Sequence, residues 1–311
     1  MRPPISLSST ALQRRNVAAH GVRLHVVEAG PPDGDPVLLL HGFPEFWYGW
    51  RHQIPALADA GHRVIVPDQR GYNRSDKPAD VGAYALRHLV ADALALIDRT
   101  GHARVDVVGH DWGAAVAWAL AAWYPERVRR LGILNVPHPR VMRETLRTDP
   151  WQMLRSWYAL FFQIPELPER LLAFNDGMLL AALMRWSGHA DTFSDEDLAA
   201  YRAAWREPGA LRGMLHWYRA ALRHDAMRRV PDAPIAPPTL VVWGAQDVAL
   251  RLHMAQPSIE RCRDGRLAVI DDATHWVQHD AAGRVNALLT GFLSGQRSGS
   301  TPAASSEPRD A

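Results

Sequence analysis

Short apolar segments alternate with helical patterns over the first part of the chain. Wholly apolar runs bounded by turn residues, as in strands buried on both faces, cover residues 37–40 and 64–66. Further strands are predicted at residues 105–108 and 131–134, and an early strand at residues 22–27, where β-branched residues alternate in part with polar ones. Between them, apolar residues recur at helical spacing over residues 48–60, 86–100 and 114–124. Because neighbouring parallel strands need a crossover helix, this alternation predicts a mostly parallel sheet flanked by helices.

The strand pattern is interrupted in the middle of the chain. Residues 137–230 are helical in composition and contain five of the twelve tryptophans. After a proline-rich hinge, the strand pattern returns at residues 240–243 and 267–270, and a last helix ends near Leu293. The predicted organisation is an α/β core in two parts, an inserted helical cap and a flexible polar tail, at residues 1–136 and 231–293, 137–230, and 294–311, respectively.

Charge and cysteine content exclude several classes of protein. The chain has 35 Lys and Arg residues against 33 Asp and Glu residues, so its formal net charge of +2 gives no electrostatic reason to expect nucleic acid or an anionic membrane as partner. No run reaches the roughly 18–20 uninterrupted apolar residues that cross a bilayer. Cys262 is the only cysteine, which excludes an internal disulfide and a thiolate zinc site. Since no export signal is recognisable, we predict a cytoplasmic protein.

A candidate nucleophile lies between a predicted strand and a predicted helix. The pattern there is Gly-His-Asp-Trp-Gly, at residues 109–113. A nucleophile elbow needs this arrangement, because a sharp turn with small residues on both sides holds a reactive side chain at the end of the strand. The central residue is Asp111, where esterases and lipases have serine. The alternative is that Asp111 only caps the following helix, which aspartate does well.

The loop after the strand at 37–40 and two later strand ends complete a candidate catalytic set. This loop consists of His41, Gly42, Phe43 and Pro44. It is either an ordinary Gly-Pro turn or one side of an oxyanion hole formed by the amides of Phe43 and Trp112. Asp247 and His275 each follow a predicted strand, so the chain order is nucleophile, acid, base. We predict that Asp247 orients the imidazole of His275, the general base.

Neither a metal nor a nucleotide cofactor is expected. His275 and His279 are four residues apart, but they lack the glutamate of a metalloprotease motif and an obvious third ligand. His279 and Asp280 fit the start of the last helix, where the acidic side chain offsets the helix dipole. The chain also contains neither a P-loop nor a G-x-G-x-x-G pattern.

Three segments of the chain resemble the epoxide hydrolases of the α/β-hydrolase fold. They are His-Gly-Phe-Pro-Glu at 41–45, the segment from Asp to Lys-Pro at 68–78, and the elbow at 109–113. The first two are shared with dehalogenases, and the resemblance spans most of residues 16–293. Asn73 departs from the family pattern, since many relatives have glycine there. The resemblance implies an α/β-hydrolase fold, with a mostly parallel eight-stranded sheet flanked by helices and an inserted helical cap.

The cap carries the more specific part of the resemblance. Epoxide hydrolases of this type have two cap tyrosines that donate hydrogen bonds to the oxirane oxygen. Tyr158 matches the first, since it precedes the Phe-Gln-x-Pro pattern at residues 162–165, and Tyr218 matches the second within Trp-Tyr-Arg at 217–219. The alternative for each tyrosine is a packing residue of the cap with its hydroxyl in water.

The chemistry of these residue types agrees with epoxide hydrolysis. A carboxylate attacks a strained sp³ carbon, which forms an ester on Asp111. Phenols of pKa about 10 are protonated at neutral pH, so Tyr158 and Tyr218 can supply a proton to the departing alkoxide. His275 then activates water, which attacks the carbonyl carbon of that ester, and the oxyanion falls where the loop amides point.

Two other functions remain open from the sequence. A haloalkane or haloacid dehalogenase would use the same nucleophile, base and acid, but Phe43 stands where many haloalkane dehalogenases place a halide-binding asparagine. A catalytically silent ligand receptor would not require the three residues together. The near-neutral charge agrees with a small apolar epoxide and water as partners of the enzyme. A homodimer is compatible with the sequence, which defines no oligomeric state.

The tryptophans divide into two groups. Trp112 follows the nucleophile, and Trp157 and Trp217 each directly precede a proposed proton donor. We expect these three to line the substrate pocket. Trp118 and Trp123, on the helix after the nucleophile, are expected in the core.

Overall fold

An eight-stranded sheet forms the centre of the protein. The structure is a computed structural model and describes residues 11–224 and 230–295. The strands are β1 (Gln13–Ala19), β2 (Val22–Ala29), β3 (Asp35–Leu40), β4 (His62–Pro67), β5 (Val105–His110), β6 (Val128–Leu134), β7 (Thr239–Gly244) and β8 (Gly265–Ile270). Their spatial order is β1-β2-β4-β3-β5-β6-β7-β8. Only the pairings of β2 with β1 and β4 are antiparallel, so the predicted mostly parallel sheet is confirmed.

Helices follow the strands in the order expected for crossover connections. Those that accompany the sheet are α1 (Gln53–Asp59), α2 (Leu86–Asp98), α3 (Trp112–Trp123), α10 (Ala255–Ile259), α11 (Val277–Asp280) and α12 (Ala282–Leu293). Six more lie between β6 and β7 and are called the cap helices: α4 (Pro139–Thr148), α5 (Pro150–Arg155), α6 (Trp157–Phe161), α7 (Leu167–Ser187), α8 (Asp195–Trp205) and α9 (Ala210–Arg223). The predicted tail falls outside the described residues, apart from residues 294 and 295.

Two elements differ from the sequence prediction. Strand β1 was not predicted, because only Val17 and Ala19 of its side chains are buried and it lacks a continuous apolar run. Its edge position, paired only with β2, explains that polar composition. The helix expected from residue 48 is divided into a 3₁₀ turn at Trp47–Trp50 and helix α1.

The core lies on both faces of the parallel strands. Val107 and Val108 of β5 are both fully buried although they point to opposite faces, as expected for a central strand covered by helices. The indole of Trp118 is also fully buried, as predicted, and Trp123 is half-buried against the same core. Within residues 11–224 and 230–295, no helix has both the length and the apolar composition that crossing a membrane requires.

The cap helices are joined to the loops at the carboxyl edge of the sheet. The indole N–H of Trp205 in α8 donates to the carbonyl of Pro44 at 2.7 Å, and the hydroxyl of Tyr201 donates to the Glu45 carboxylate at 2.6 Å. From α9, the indole N–H of Trp217 donates to the carbonyl of Arg70 at 2.9 Å. These buried hydrogen bonds attach the cap to the loops that follow β3 and β4, at the edge of the sheet where the candidate catalytic residues lie.

Candidate active site

Asp111 occupies a strained turn between β5 and α3. Its φ of 48° and ψ of −124° lie outside the regions that a non-glycine residue normally adopts. The turn needs small neighbours: a Cβ added at Gly113 would lie 2.0 Å from the carbonyl oxygen of Leu40. The Asp111 carboxylate makes no capping hydrogen bond to α3. The geometry therefore favours the nucleophile elbow over the helix cap.

The carboxylate of Asp111 faces a backbone amide on one side and an imidazole on the other. Its Oδ1 accepts a hydrogen bond from the amide of Phe43 at 2.7 Å, and its Oδ2 lies 3.6 Å from Nε2 of His275. The loop after β3 can approach Asp111 this closely only with glycine at position 42, since a Cβ there would lie 2.2 Å from the Cβ of Asp111. Burial would raise the pKa of Asp111, but the hydrogen bond and charge of His275 lower it overall. The group is thus a carboxylate at neutral pH.

Asp247 holds the imidazole of His275. The Nδ1 atom of His275 lies 2.8 Å from Oδ2 of Asp247, whose Oδ1 accepts from the amides of Ala249 and Leu250 at 2.7 and 2.8 Å. Burial by itself lowers the pKa of His275, but the charges and hydrogen bonds of Asp247 and Asp111 outweigh it and raise this pKa to about 10. The structure thus brings the three predicted residues together at three strand ends.

The two cap tyrosines lie side by side over the elbow. Tyr158 comes from α6 and Tyr218 from α9, and their ring centroids are 5.9 Å apart. The ring of Tyr218 packs edge-on against Trp112 and Phe43, at centroid distances of 5.0 and 5.3 Å. Burial, followed by the negative charge of Asp111, raises the pKa of both phenols above the ordinary tyrosine value. Both hydroxyls therefore keep their protons at neutral pH.

Comparison with known proteins gives consistent relatives. The α/β hydrolase fold family matches residues 35–282. The chain is 43% identical over 280 residues to the AB hydrolase superfamily protein YfhM of Bacillus subtilis, covering 90% of this chain and 97% of that protein. It is 38% identical over 281 residues to Epoxide hydrolase 2 of Caenorhabditis elegans, covering 89% of this chain and 79% of that protein.

Solved structures agree with these relatives. The crystal structure of Epoxide Hydrolase A from Mycobacterium thermoresistibile aligns with a TM-score of 0.79 and 34% identity, over 92% of this chain and 99% of that one. A Bacillus megaterium epoxide hydrolase, crystallised with an inhibitor, aligns with a TM-score of 0.82 and 30% identity over 90% of this chain and 100% of that one. The chain belongs to the epoxide hydrolases of the α/β-hydrolase fold.

In this member of the epoxide hydrolase family, Asn135 is a site residue that the sequence analysis missed. It follows β6 with a φ of 54°, in the left-handed region that asparagine tolerates. Its side-chain N–H donates to Oδ2 of Asp247 at 2.8 Å, and its Oδ1 accepts from the amide of Gly244 at 3.0 Å. Asn135 thus fixes the carboxylate of Asp247, which contacts the imidazole of His275. The sequence contained one indication of this role, since Asn135 is a polar residue directly after the predicted strand at 131–134.

A second group that the sequence analysis missed lies beside the three candidate catalytic residues of this epoxide hydrolase. The Nε2 atom of His110 lies 2.9 Å from the carbonyl oxygen of His275, and its Nδ1 lies 3.3 Å from Oε2 of Glu45. The carboxylate of Glu45 is buried and also lies 2.8 Å from Nε2 of His279. His279 therefore pairs with a carboxylate of the loop after β3. The Asp280 carboxylate accepts a hydrogen bond from the amide of Thr274, in the loop after β8, at 2.8 Å.

The predicted pocket tryptophans of this epoxide hydrolase occupy different environments. Trp112 is partly buried beside Tyr218. Trp217 is buried one layer behind, where its ring packs against Trp112 at 6.0 Å and against Tyr72. The structure does not bring Trp157 to this group, because 59% of that residue is exposed and its ring contacts Phe161. A tryptophan and the tyrosine after it point to different sides of a helix, which adjacency in the sequence does not reveal.

The departure at Asn73 is accommodated locally. Its φ of 40° lies in the left-handed region, which explains why many relatives have glycine there and why asparagine is tolerated. Its side-chain N–H also donates to the Asp68 carboxylate at 2.8 Å.

Proposed function

We propose that this protein converts apolar epoxides and water into vicinal diols through a covalent ester on Asp111. The single observation that supports this most directly is the position of the Asp111 carboxylate. It lies between the Phe43 amide, 2.7 Å away, and the His275 imidazole, 3.6 Å away, beneath the buried phenol of Tyr218 and the partly buried phenol of Tyr158, which both retain their protons. A nucleophile, a base and two proton donors thus converge on one small volume.

In the first step, an oxygen of Asp111 attacks an epoxide carbon. The carbon–oxygen bond of the ring breaks as the new ester bond forms, and the departing oxygen takes a proton from Tyr158 or Tyr218. The raised pKa of both phenols agrees with a donor that is fully protonated before the reaction.

Ester formation also prepares the base for the second step. In the resting protein, two carboxylates favour the imidazolium of His275. The ester at Asp111 is uncharged, so only the carboxylate of Asp247 still stabilises the imidazolium, and the pKa of His275 falls. The imidazolium of His275 then gives its proton to the phenolate that ring opening left behind. The resulting neutral imidazole is ready to accept a proton from water.

In the second step, water gives a proton to His275 and its oxygen attacks the ester carbonyl carbon of Asp111. The resulting oxyanion is stabilised by the amide of Phe43 and, as proposed from the sequence, by that of Trp112. Collapse of the intermediate breaks the ester bond to the alcohol, which takes the proton from the imidazolium. Asp111 regains its carboxylate after passing its proton to His275, and the diol leaves.

The direct test of this function is turnover of two substrate classes by the wild-type protein. With an aryl epoxide, we expect diol formation, measured by chromatography. With a haloalkane, we expect no halide release, because the Phe43 side chain packs against Tyr218 and Phe162 and has no N–H group for a halide. Halide release without diol formation would establish a dehalogenase instead.

A second expectation concerns the protonation of His275. Asp111→Asn removes one of the two carboxylates beside the imidazole, so the pKa of His275 should fall from about 10, by roughly one to three pH units. An NMR pH titration of the His275 ring measures this directly. Asp272→Asn, at an exposed position, is the matched control and should leave the pKa unchanged. An equal pKa in wild type and Asp111→Asn would mean that Asp111 does not contribute to holding the proton.

A further inference from the structure

The outer surface of cap helices α5, α6 and α7 is unusually apolar. Among the residues that the structure describes, seventeen large hydrophobic side chains are exposed, and thirteen of them lie between residues 151 and 186. The most exposed are Phe174 and Trp186, each at 73%, followed by Trp151 and Leu160, each at 68%. We refer to these thirteen exposed side chains as the apolar cap surface.

The part of α7 that follows its non-helical residues 174–177 shows that this surface has a regular pattern. Leu179, Leu183 and Trp186 are exposed at helical spacing, while Leu180 and Met184 of the same helix are buried. The buried side of α7 packs on α8 and α9. A helix with apolar residues on opposite sides is normally covered on both, and the exposed stripe of α7 has no covering partner among residues 11–224 and 230–295.

The size of the surface is that of a stable protein interface. A buried aromatic side chain covers about 150–250 Å², so the four exposed aromatic side chains at 59–73% exposure present roughly 400–700 Å² by themselves. This already matches the largest apolar patch of a typical monomer, about 300–600 Å². With the nine exposed leucine, isoleucine and methionine side chains, the total is on the order of 1,000 Å², against about 800 Å² per partner in a standard interface.

The charges within this surface indicate which partner it fits. Residues 150–187 contain three arginines and three acidic residues, and no lysine. Five of these six charged side chains form ion pairs within the chain: for example, Arg170 lies 2.6 Å from Glu166, and Asp176 lies 2.5 Å from Arg202. A surface without net charge does not repel an identical surface, and it offers no basic excess to attract anionic lipid.

We propose that two copies of this chain associate in solution through their apolar cap surfaces. The same surface on both copies makes the contact isologous, with a two-fold axis between the two α7 helices. Its composition fits, because tryptophan, phenylalanine, methionine and arginine are enriched in interfaces and lysine is depleted. The association does not depend on the proposed function, since none of the thirteen side chains of the apolar cap surface belongs to a proposed catalytic residue.

Sedimentation velocity of the full chain at micromolar concentrations tests this association. The wild type is expected to sediment with twice the chain mass of 34.7 kDa. Phe174→Ser with Trp186→Ser removes the two most exposed aromatic rings and should give a monomer, with a dissociation constant raised about 100-fold or more. The matched control, Tyr124→Ser with Leu222→Ser, removes exposed apolar side chains outside the apolar cap surface and should remain dimeric.

Three results would overturn the proposal. They are a wild-type protein that is monomeric at all concentrations, a dimer that survives the Phe174/Trp186 substitutions, and a monomer whose apolar cap surface binds phosphatidylcholine vesicles in co-sedimentation. Circular dichroism establishes that each variant is folded. If the double variant unfolds, Leu183→Arg replaces it, because this exposed position tolerates a good helix former and the charge still disrupts an apolar contact.

Discussion

Replacing His275 with glutamine is expected to produce a protein that reacts once with an epoxide and keeps it as an ester of Asp111. Glutamine cannot accept a proton from water, while the nucleophile and both phenols remain. Turnover should therefore fall by at least about 10²–10⁴-fold, the usual contribution of a general base. Intact-protein mass spectrometry after incubation with an aryl epoxide should show one added epoxide mass, located on Asp111 by peptide mapping.

The controls for this experiment isolate the nucleophile and the base. Asp111→Asn combined with His275→Gln should show no added mass, because the amide is a poor nucleophile. His253→Gln, at an exposed histidine, should turn over like the wild type. If His275→Gln is folded and binds substrate but gains no mass, the assignment of Asp111 as nucleophile is wrong.

Removing both cap hydroxyls, by Tyr158→Phe together with Tyr218→Phe, should abolish opening of the epoxide ring. The alkoxide that leaves the carbon would then lack both of the proposed phenol donors. We expect diol formation to fall by about 10²–10⁴-fold or more, as for loss of general acid catalysis. Each single variant should retain part of the activity, because the other phenol can still donate.

The same double substitution in the His275→Gln background identifies the affected step. No ester should form there, because the phenols act in ring opening, which precedes the step that needs His275. Tyr124→Phe removes a hydroxyl from a partly exposed tyrosine and should have no effect. Diol formation at the wild-type rate by the double phenylalanine variant would exclude the proposed role of the phenols.

Much of the core could be predicted from local sequence. Strands β3 and β7 contain continuous apolar runs because they are buried on both faces, which makes them visible without tertiary information. The elbow was recognisable because small residues must surround a strained turn. By contrast, β1 is a polar edge strand, and its signal appears only when β2 is present to pair with it.

The cap was predictable in kind but not in arrangement. Its helical composition could be read from the sequence, yet the exposure of Trp157 and the burial of Trp217 follow from how α6 and α9 dock on the core. The position of Glu45 among His110, His279 and Tyr201 is a similar case, since these residues are far apart in the chain.

The sequence by itself determined the parallel core, the chain order of the candidate nucleophile, acid and base, and the pair of candidate tyrosines, because these depend on periodicity, turn residues and short motifs. Only the tertiary structure decided that Asn135 holds Asp247, that His279 pairs with Glu45, and that one side of the cap remains apolar and exposed. The physical reason is that packing and desolvation depend on which distant segments meet, and this information is not contained in any local stretch of the chain.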